Sequence, residues 1–313
     1  MSASAGPRGA LEQDGSRVQI ATLREGEQVH AVFACVRKER QVSRNGAPYL
    51  TLELRDGTGS ILARAFRDAD LLSSRFERGD IVLVDGRVQR FRGELQISLQ
   101  RAERTQVSDR ALADFLPASR LDLDELEGFL EHLVREVYDE RLRLLCERVL
   151  ASERVRRNLR LAPCGLPAEP GRRTARHHHA YLGGLLEHTV AVASMAVELC
   201  TVHPRLDRDL LICAAVLHDI GRTAEFTYGA EIGQTEEGRL LGHVELGLRM
   251  IEAGAPEGLA PGRLLALEHC VAAHHGAEGA QIRFASAEAL ALHRLNALDA
   301  GVKGALERGL AIK

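Results

Sequence analysis

The chain has 313 residues, of which 45% are apolar and 27% are charged, and its formal net charge is −3. This length predicts two domains of ordinary size, and the apolar content excludes an intrinsically disordered chain. The six cysteines are scattered without a Cys-x-x-Cys pair, which argues against a disulfide scaffold and favours reduced, buried thiols. A slightly negative chain at first argues against a nucleic-acid partner.

The N-terminus and the apolar runs predict where the protein is found. Residues 1–16 are small and polar and are expected to form a mobile tail, without the basic start and apolar block of a secretory signal. No uninterrupted apolar run approaches the ~18 residues of a membrane span. The sequence therefore predicts a cytoplasmic protein that does not associate with membranes.

Residues 17–106 show the alternation and the turn signals of β-strands. Strands are predicted over residues 29–36, 49–56, 60–66, 80–88 and 94–99, with a short helix over 68–75. Five strands with a helix between the third and the fourth are typical of a small Greek-key barrel of the OB type. A β-sandwich is the alternative, but sandwiches of similar length usually contain more strands.

Residues 107–121, which include Leu116-Pro117, are predicted to link this barrel to a helical domain over residues 122–313. Apolar residues recur there at spacings of three and four from Leu126 to Leu145, an amphipathic helical stripe. Further helices are predicted over residues 185–199, 210–217, 243–251, 264–273 and 287–300. Because no strand pattern reappears, the predicted fold class is a small OB-type barrel followed by an all-α helical bundle.

Dividing the chain at the linker changes the argument from net charge. Residues 17–106 hold 16 Lys and Arg against 12 Asp and Glu, whereas residues 107–313 hold 24 against 30. The barrel is therefore basic and the helical domain is acidic. A basic barrel suits a polyanionic partner such as a nucleic acid.

Eleven of the thirteen histidines lie after residue 170, and two pairs among them stand out. His218-Asp219 and His274-His275 each close an apolar run that predicts a buried helix. Burial of unpaired imidazoles and of a carboxylate is costly, and coordination of a metal ion is one way to satisfy them. Other predicted helices would supply the single ligands His188, His243 and Asp299.

These seven side chains offer nitrogen and oxygen donors but no sulfur. They are enough for two adjacent ions with octahedral preferences, which suits Mn²⁺, Co²⁺, Mg²⁺ or Fe²⁺ better than a structural zinc. The sequence thus predicts two divalent metal ions as cofactors, with Mn²⁺ as the first choice.

The order of these motifs resembles that of the HD-domain metal-dependent phosphohydrolases. The strings HHAYLGGLLEHT, LHDIG, LLGH and HHG, behind an OB-type barrel, are similar to those of the YhaM-type 3′–5′ exoribonucleases over roughly residues 17–303. The resemblance implies two metal sites that share Asp219 as a bridge. One site would use His188, His218, Asp219 and Asp299, and the other would use His243, His274 and His275. It also implies hydrolysis of a phosphodiester by a metal-activated hydroxide.

Three further positions near these motifs are candidate functional residues. Arg222 stands where the family usually has lysine, and a guanidinium would hold a scissile phosphate but is a poor general acid. Asp219 and Arg222 are therefore the predicted catalytic residues. His178 and His179 match the family string and are candidates for a role on the substrate side.

In the barrel, basic and aromatic residues interleave, as in OB folds that stack bases and track the phosphates of single strands. The predicted nucleic-acid contacts are Arg37, Lys38, Arg44, Tyr49, Arg90, Phe91 and Arg92. Phe33 and Phe66 are interpreted as core residues instead.

Together these observations predict a nuclease whose barrel binds single-stranded RNA and whose helical domain releases 5′-mononucleotides from the 3′ end. Single-stranded DNA is an alternative substrate, and a homo-oligomer is an open alternative to a monomer. Two other functions are also considered. One is an HD phosphohydrolase of nucleotides or cyclic dinucleotides, and the other is a non-catalytic RNA-binding adaptor.

Overall fold

A computed structural model describes residues 18–43, 45–166, 178–276 and 283–307. The predictions for the N-terminal tail and for Arg44 lie outside these ranges. The described residues divide into two compact units. The first unit takes the residues up to Leu116 together with Tyr228–Glu231, and the second unit takes the remainder from Pro117 onward.

The first unit is a closed barrel with the strand order β1-β2-β3-β5-β4. After a 3₁₀ turn over Ile20–Thr22, its elements are β1 (Gln28–Val42), β2 (Pro48–Asp56), β3 (Gly59–Ala65), α1 (Ala69–Ser73), β4 (Ile81–Phe91), β5 (Glu94–Arg104) and α2 (Asp109–Leu112). Consecutive paired strands run antiparallel, and β3 pairs with β5 in parallel. The predicted five-stranded OB barrel, with its helix between the third and the fourth strands, is confirmed.

Alternation along the strands fills the interior of this barrel. Leu50, Leu52 and Leu54 of β2 are fully buried, as are Phe33 of β1 and Ile97 of β5. Each such side chain contributes about 1.5–3 kcal/mol when it leaves water. The period of two that marks β2 in the sequence is therefore the period of its inward side chains.

The second unit is helical. Its helices are α3 (Leu123–Arg135), α4 (Glu140–Ala151), α5 (Glu153–Leu161), α6 (Gly184–Val202), α7 (Arg208–Leu217), α8 (Arg222–Glu225), α9 (Glu236–Gly254), α10 (Pro261–Ala273) and α11 (Ala287–Glu307). Helix α7 is the centre of the bundle, because every residue from Leu210 to Leu217 is buried. It packs against α3, α4, α6, α10 and α11. The predicted helical bundle after the barrel is confirmed.

Two details of this unit correct the sequence-based prediction. The stripe from Leu126 to Leu145 is divided between α3 and α4, because the Asp139 carboxylate accepts hydrogen bonds from the backbone N–H groups of Arg141 and Leu142 and starts a new helix. Two strands, β6 (Phe226–Tyr228) and β7 (Ile232–Gln234), pair in a region where no strand is predicted. Strands of three residues are too short for an alternating pattern to reveal them.

Helix α6 is long and apolar enough to cross a membrane, judged by its length and composition alone. Half of its apolar window is buried inside the protein, and the buried residues include His188. We therefore interpret α6 as a core helix of the second unit.

Candidate functional site

The two histidine pairs lie at the C-terminal ends of apolar helices, where the sequence places them. Helix α7 ends at Leu217, immediately before His218-Asp219, and α10 ends at Ala273, immediately before His274-His275. His218 and His274 are fully buried, and Asp219 is only 3% exposed. The helix ends therefore carry polar groups into the interior of the bundle.

The helices themselves fix which nitrogen of each buried histidine faces the site. His218 Nδ1 lies 2.8 Å from the Ala215 carbonyl oxygen, and His274 Nδ1 lies 2.5 Å from the Val271 carbonyl oxygen. Only a protonated ring nitrogen can donate to a carbonyl oxygen, so we assign the hydrogen to Nδ1 in both rings. Each Nε2 then presents a lone pair, which is the arrangement of a metal-binding histidine.

Four potential ligands converge in what we call the triple-histidine cluster. Its members are Asp219, His243, His274 and His275, and their ligand atoms all lie within 4.8 Å of one another. His243 Nε2 is 2.8 Å from His275 Nε2 and 3.2 Å from Asp219 Oδ1. Asp219 Oδ1 and His274 Nε2 are buried without a hydrogen-bond partner. They lie 3.4 Å apart, but both atoms are acceptors, so no hydrogen bond forms between them. Buried acceptors without a donor are costly, and a divalent cation fits this set of donors.

A second group, the double-histidine cluster, shares Asp219 with the first. It contains His188, His218 and Asp219, all of them buried. His188 Nε2 is 3.2 Å from His218 Nε2, which is itself 3.8 Å from Asp219 Oδ2. The two oxygens of Asp219 face different clusters, so this carboxylate belongs to both groups of potential ligands.

Asp299 contacts the double-histidine cluster at Nδ1 of His188, the ring nitrogen that does not face His218. Asp299 Oδ2 lies 2.6 Å from His188 Nδ1 and 2.9 Å from His179 Nε2. Burial alone would raise the pKa of Asp299, but the two rings hold it below its usual range. The structure therefore places Asp299 beside His188 but outside the group formed with His218 and Asp219.

His179 is an interior residue, which corrects its predicted role on the substrate side. Its side chain is 2% exposed, its Nε2 faces Asp299, and its Nδ1 lies 3.1 Å from the Tyr181 hydroxyl group. That hydroxyl donates to Glu187, which also pairs with Lys303. His179 thus links a metal-ligand candidate to a half-buried polar network of Tyr181, Glu187 and Lys303 that the sequence does not reveal.

His178 is half-buried next to the same group. Its ring centre lies 5.2 Å from that of His188. Burial lowers the pKa of His178 to about 4, so the ring is neutral near pH 7. A substrate-side role for His178 stays a prediction.

Arg222 lies inside the site and is only 8% exposed. Its Nε donates to Asp219 Oδ2 at 2.7 Å, and its Nη1 donates to Glu225 Oε2 at 3.3 Å. Burial opposes ionisation of Asp219, but the neighbouring guanidinium holds the pKa of this carboxyl well below its usual range. The structure thus shows Arg222 bound to two carboxylates, and its contact with a scissile phosphate stays a prediction.

Glu225 is a site residue that the sequence analysis misses. It is buried at 6% exposure, and its Oε2 also lies 3.7 Å from His243 Nδ1. Burial raises the pKa of Glu225 above its usual value. Its position three residues after Arg222, on the same helical face, is the signal that could have identified it.

Close packing of backbone brings His243 into the triple-histidine cluster. Helix α9 is interrupted at Gly242, which has a φ of +74°, so His243 begins a new helical segment. A Cβ atom on Gly221 would lie 1.9 Å from the His243 carbonyl oxygen. Glycine at position 221 therefore permits the backbone before α8 to contact α9.

An exposed aromatic strip lies on the barrel, formed by Tyr49, Arg64, Phe66, Phe91 and Arg92. Tyr49 stacks on Phe66 with ring centres 5.4 Å apart, and the guanidinium groups of Arg64 and Arg92 lie 5.3 and 5.4 Å from the Phe91 ring centre. Phe66 is 60% exposed and Phe91 is 48% exposed. The interpretation of Phe66 as a core residue is therefore wrong, because it follows the inward-facing Ala65 and alternates to the outside.

The other predicted nucleic-acid contacts behave differently. Lys38 Nζ donates to the carbonyl oxygens of Ser73 and Phe76 at 2.7 and 2.6 Å and to Glu77 at 2.8 Å. This use of its hydrogens corrects the prediction for Lys38, which stabilises the barrel instead. Arg37 pairs with Glu39, and Arg90 pairs with Glu25, but both side chains are more than half exposed.

Comparisons with known proteins agree with both units. Residues 185–301 match a family model described as an HD domain, and residues 28–104 match one described as an OB-fold nucleic acid binding domain. The 3′–5′ exoribonuclease YhaM of Halalkalibacterium halodurans is 29% identical over 279 residues, which cover 88% of this chain and 84% of that protein. The YhaM proteins of Bacillus velezensis and Shouchella clausii are each 28% identical, over 88% and 91% of this chain and 85% and 88% of theirs. Both kinds of domain are thus present in a chain that is similar to these exoribonucleases over most of its length.

Proposed function

We propose that the protein is a metal-dependent 3′–5′ exonuclease that hydrolyses single-stranded RNA to 5′-mononucleotides. The observation that carries this proposal is the pair of buried, unpartnered acceptors in the triple-histidine cluster, Asp219 Oδ1 and His274 Nε2. The relatives that align with most of this chain are named 3′–5′ exoribonucleases. A cytoplasmic location is part of the proposal, and the six buried, free cysteines support it.

We infer that the site takes two divalent ions, with Mn²⁺ first among Co²⁺, Mg²⁺ and Fe²⁺. Bound ions of this kind lower the pKa of a coordinated water molecule and offset charge on a reacting phosphate. Asp219 would contribute one oxygen to each cluster, and the histidines would contribute neutral nitrogens. Burial supports that neutral state, because it lowers the pKa of His218 to about 3 and that of His243 well below its usual range.

The aromatic strip supports a single-stranded substrate. Exposed rings with guanidinium groups beside them stack bases and attract phosphates. Stacking of this kind does not distinguish RNA from DNA, so single-stranded DNA belongs to the proposal as a second substrate. The strip also favours an oligonucleotide over a free nucleotide, because OB folds of this kind contact several bases along one strand.

The experiment follows hydrolysis of a 3′-labelled oligoribonucleotide with Mn²⁺, next to free nucleotides and cyclic dinucleotides. The proposal predicts early release of labelled mononucleotide, and its loss in His218→Ala and Asp219→Ala. The matched control is His203→Ala, which changes an exposed histidine outside both clusters. Hydrolysis of the small substrates without cleavage of the oligomer would favour the phosphohydrolase. Binding without hydrolysis under any divalent metal would favour the adaptor.

A further inference from the structure

The two clusters offer Asp219 to a metal ion in different ways. In the triple-histidine cluster, Asp219 Oδ1 has no hydrogen-bond partner, and His274 Nε2 beside it has none either. His274 is held from behind by the Val271 carbonyl oxygen. This cluster is therefore arranged for a cation before one arrives.

At the double-histidine cluster the other oxygen of this carboxylate, Asp219 Oδ2, already accepts a hydrogen bond. Arg222 Nε donates to Asp219 Oδ2 at 2.7 Å, and Glu225 holds the same guanidinium from its other side. A guanidinium group keeps its proton at any physiological pH, so it cannot give way by neutralisation. A metal ion that uses Asp219 Oδ2 must therefore displace this hydrogen bond and bind close to a fixed positive charge.

The remaining carboxylate near this cluster is engaged as well. Asp299 Oδ2 lies within hydrogen-bond distance of both His188 Nδ1 and His179 Nε2. Asp299 Oδ2 thus contacts His188 at Nδ1, whereas the Nε2 atom of the same ring faces His218 Nε2. At the double-histidine cluster, Asp219 Oδ2 and Asp299 Oδ2 are thus both in hydrogen-bond contacts, whereas Asp219 Oδ1 in the triple-histidine cluster has no hydrogen-bond partner.

We propose that Arg222 competes with a metal ion for Asp219 Oδ2, so that the triple-histidine cluster fills first and the double-histidine cluster binds its ion more weakly. This inference rests on the proposed function only in requiring that both clusters bind divalent ions. The proposal predicts a specific direction for the change in metal affinity when Arg222 is replaced. A residue that only contacts substrate phosphate has no effect on metal binding in the absence of substrate, whereas a competitor for Asp219 strengthens the weaker site when it is removed.

The test is equilibrium binding of Mn²⁺ to the metal-free full chain without substrate, with free Mn²⁺ measured by electron paramagnetic resonance. Wild type is expected to show one tight and one weaker ion. Arg222→Gln is expected to tighten the weaker ion by at least about tenfold, because it removes a fixed positive charge next to Asp219 that repels a cation. The tight ion is expected to change less. His275→Ala and His188→Ala assign the two ions, since the first removes a ligand of the tight site and the second removes a ligand of the weak site.

A weaker ion that binds Arg222→Gln no more tightly than wild type would overturn the competition while leaving the metal centre intact. Binding of two ions that neither His188→Ala nor His275→Ala disturbs would instead contradict the proposed metal centre. Circular dichroism shows whether Arg222→Gln folds. If Arg222→Gln does not fold, Arg222→Lys tests the same competition, because a single ammonium group cannot reproduce both guanidinium contacts. It should tighten the weaker ion by a smaller factor, and an unchanged or lower affinity would overturn the proposal.

Discussion

Replacement of Phe66 by alanine measures whether the barrel binds single strands through its aromatic strip. One side of the ring stacks on Tyr49, and 60% of the residue is exposed, which leaves one open side for one base. Stacking of a base on an aromatic side chain contributes about 1–3 kcal/mol, so loss of this base would weaken binding by about 5- to 150-fold. We expect the lower part of this range, because truncation uncovers the ring of Tyr49 as a substitute surface.

The assay is fluorescence anisotropy with a labelled oligouridylate and the full chain, under conditions where hydrolysis is blocked by Asp219→Ala. Phe129→Ala is the matched control, because Phe129 is 57% exposed but lies on helix α3 of the other unit. The salt dependence of binding should stay the same in Phe66→Ala, since stacking releases no counterions from phosphate groups. Equal affinities for Phe66→Ala and Phe129→Ala would refute a binding role for the ring.

Three other changes test the packing and electrostatics of the fold. Gly221→Ala should lower the free energy of unfolding by about 1–3 kcal/mol and weaken Mn²⁺ binding, because the added methyl group displaces the His243 backbone. Thermal unfolding measures the first effect, and metal titration measures the second. Lys38→Met should cost about 2 kcal/mol in urea unfolding but leave RNA affinity unchanged, since the ammonium group donates to three protein oxygens and lies over the ring of Phe76. For Asp139, burial opposes ionisation, but backbone N–H groups and Arg263 hold its pKa below the usual value. Its stabilising effect is therefore complete above about pH 4 and lost as the pH falls further. Urea unfolding of Asp139→Asn should accordingly show a flatter acid limb than wild type, and equal slopes would contradict this assignment.

The sequence predicts those parts of the fold in which one periodicity persists over many residues. The alternation in β2 and the apolar run before His218 each predict correctly which side chains are buried. A pattern that persists over many residues is reliable even where single positions depart from it. Phe66 shows where apolar character alone misleads. It directly follows the buried Ala65, so the alternation of β3 places it on the outside, and its stacking partner Tyr49 comes from the neighbouring strand.

Some features of the candidate site are likewise predictable from the sequence, and others are not. Six of the seven predicted ligands meet in two clusters, because each sits at the end or on the face of a predicted helix, and the seventh, Asp299, contacts His188 from outside them. His218 and His274 are oriented by carbonyl groups of their own helices, whereas the partner of His188 comes from a residue distant in the chain. Asp299 and His179 are 120 residues apart, so their contact depends on how α11 packs in the bundle. The two carboxylates that contact Arg222 each lie three residues away in the chain, but the burial of all three residues is not evident from their charges.

The carbonyl groups behind His218 and His274 have a consequence for how the metal centre tolerates mutation. In both cases the acceptor is the main-chain oxygen three residues earlier in the same helix, at Ala215 and Val271. Replacement of either side chain leaves this oxygen in place, so the orientation of the ligand depends on the helix and not on the identity of its neighbours. The apolar sequences that precede the two pairs can therefore vary as packing requires, while the direction of each imidazole stays the same as long as the helix forms.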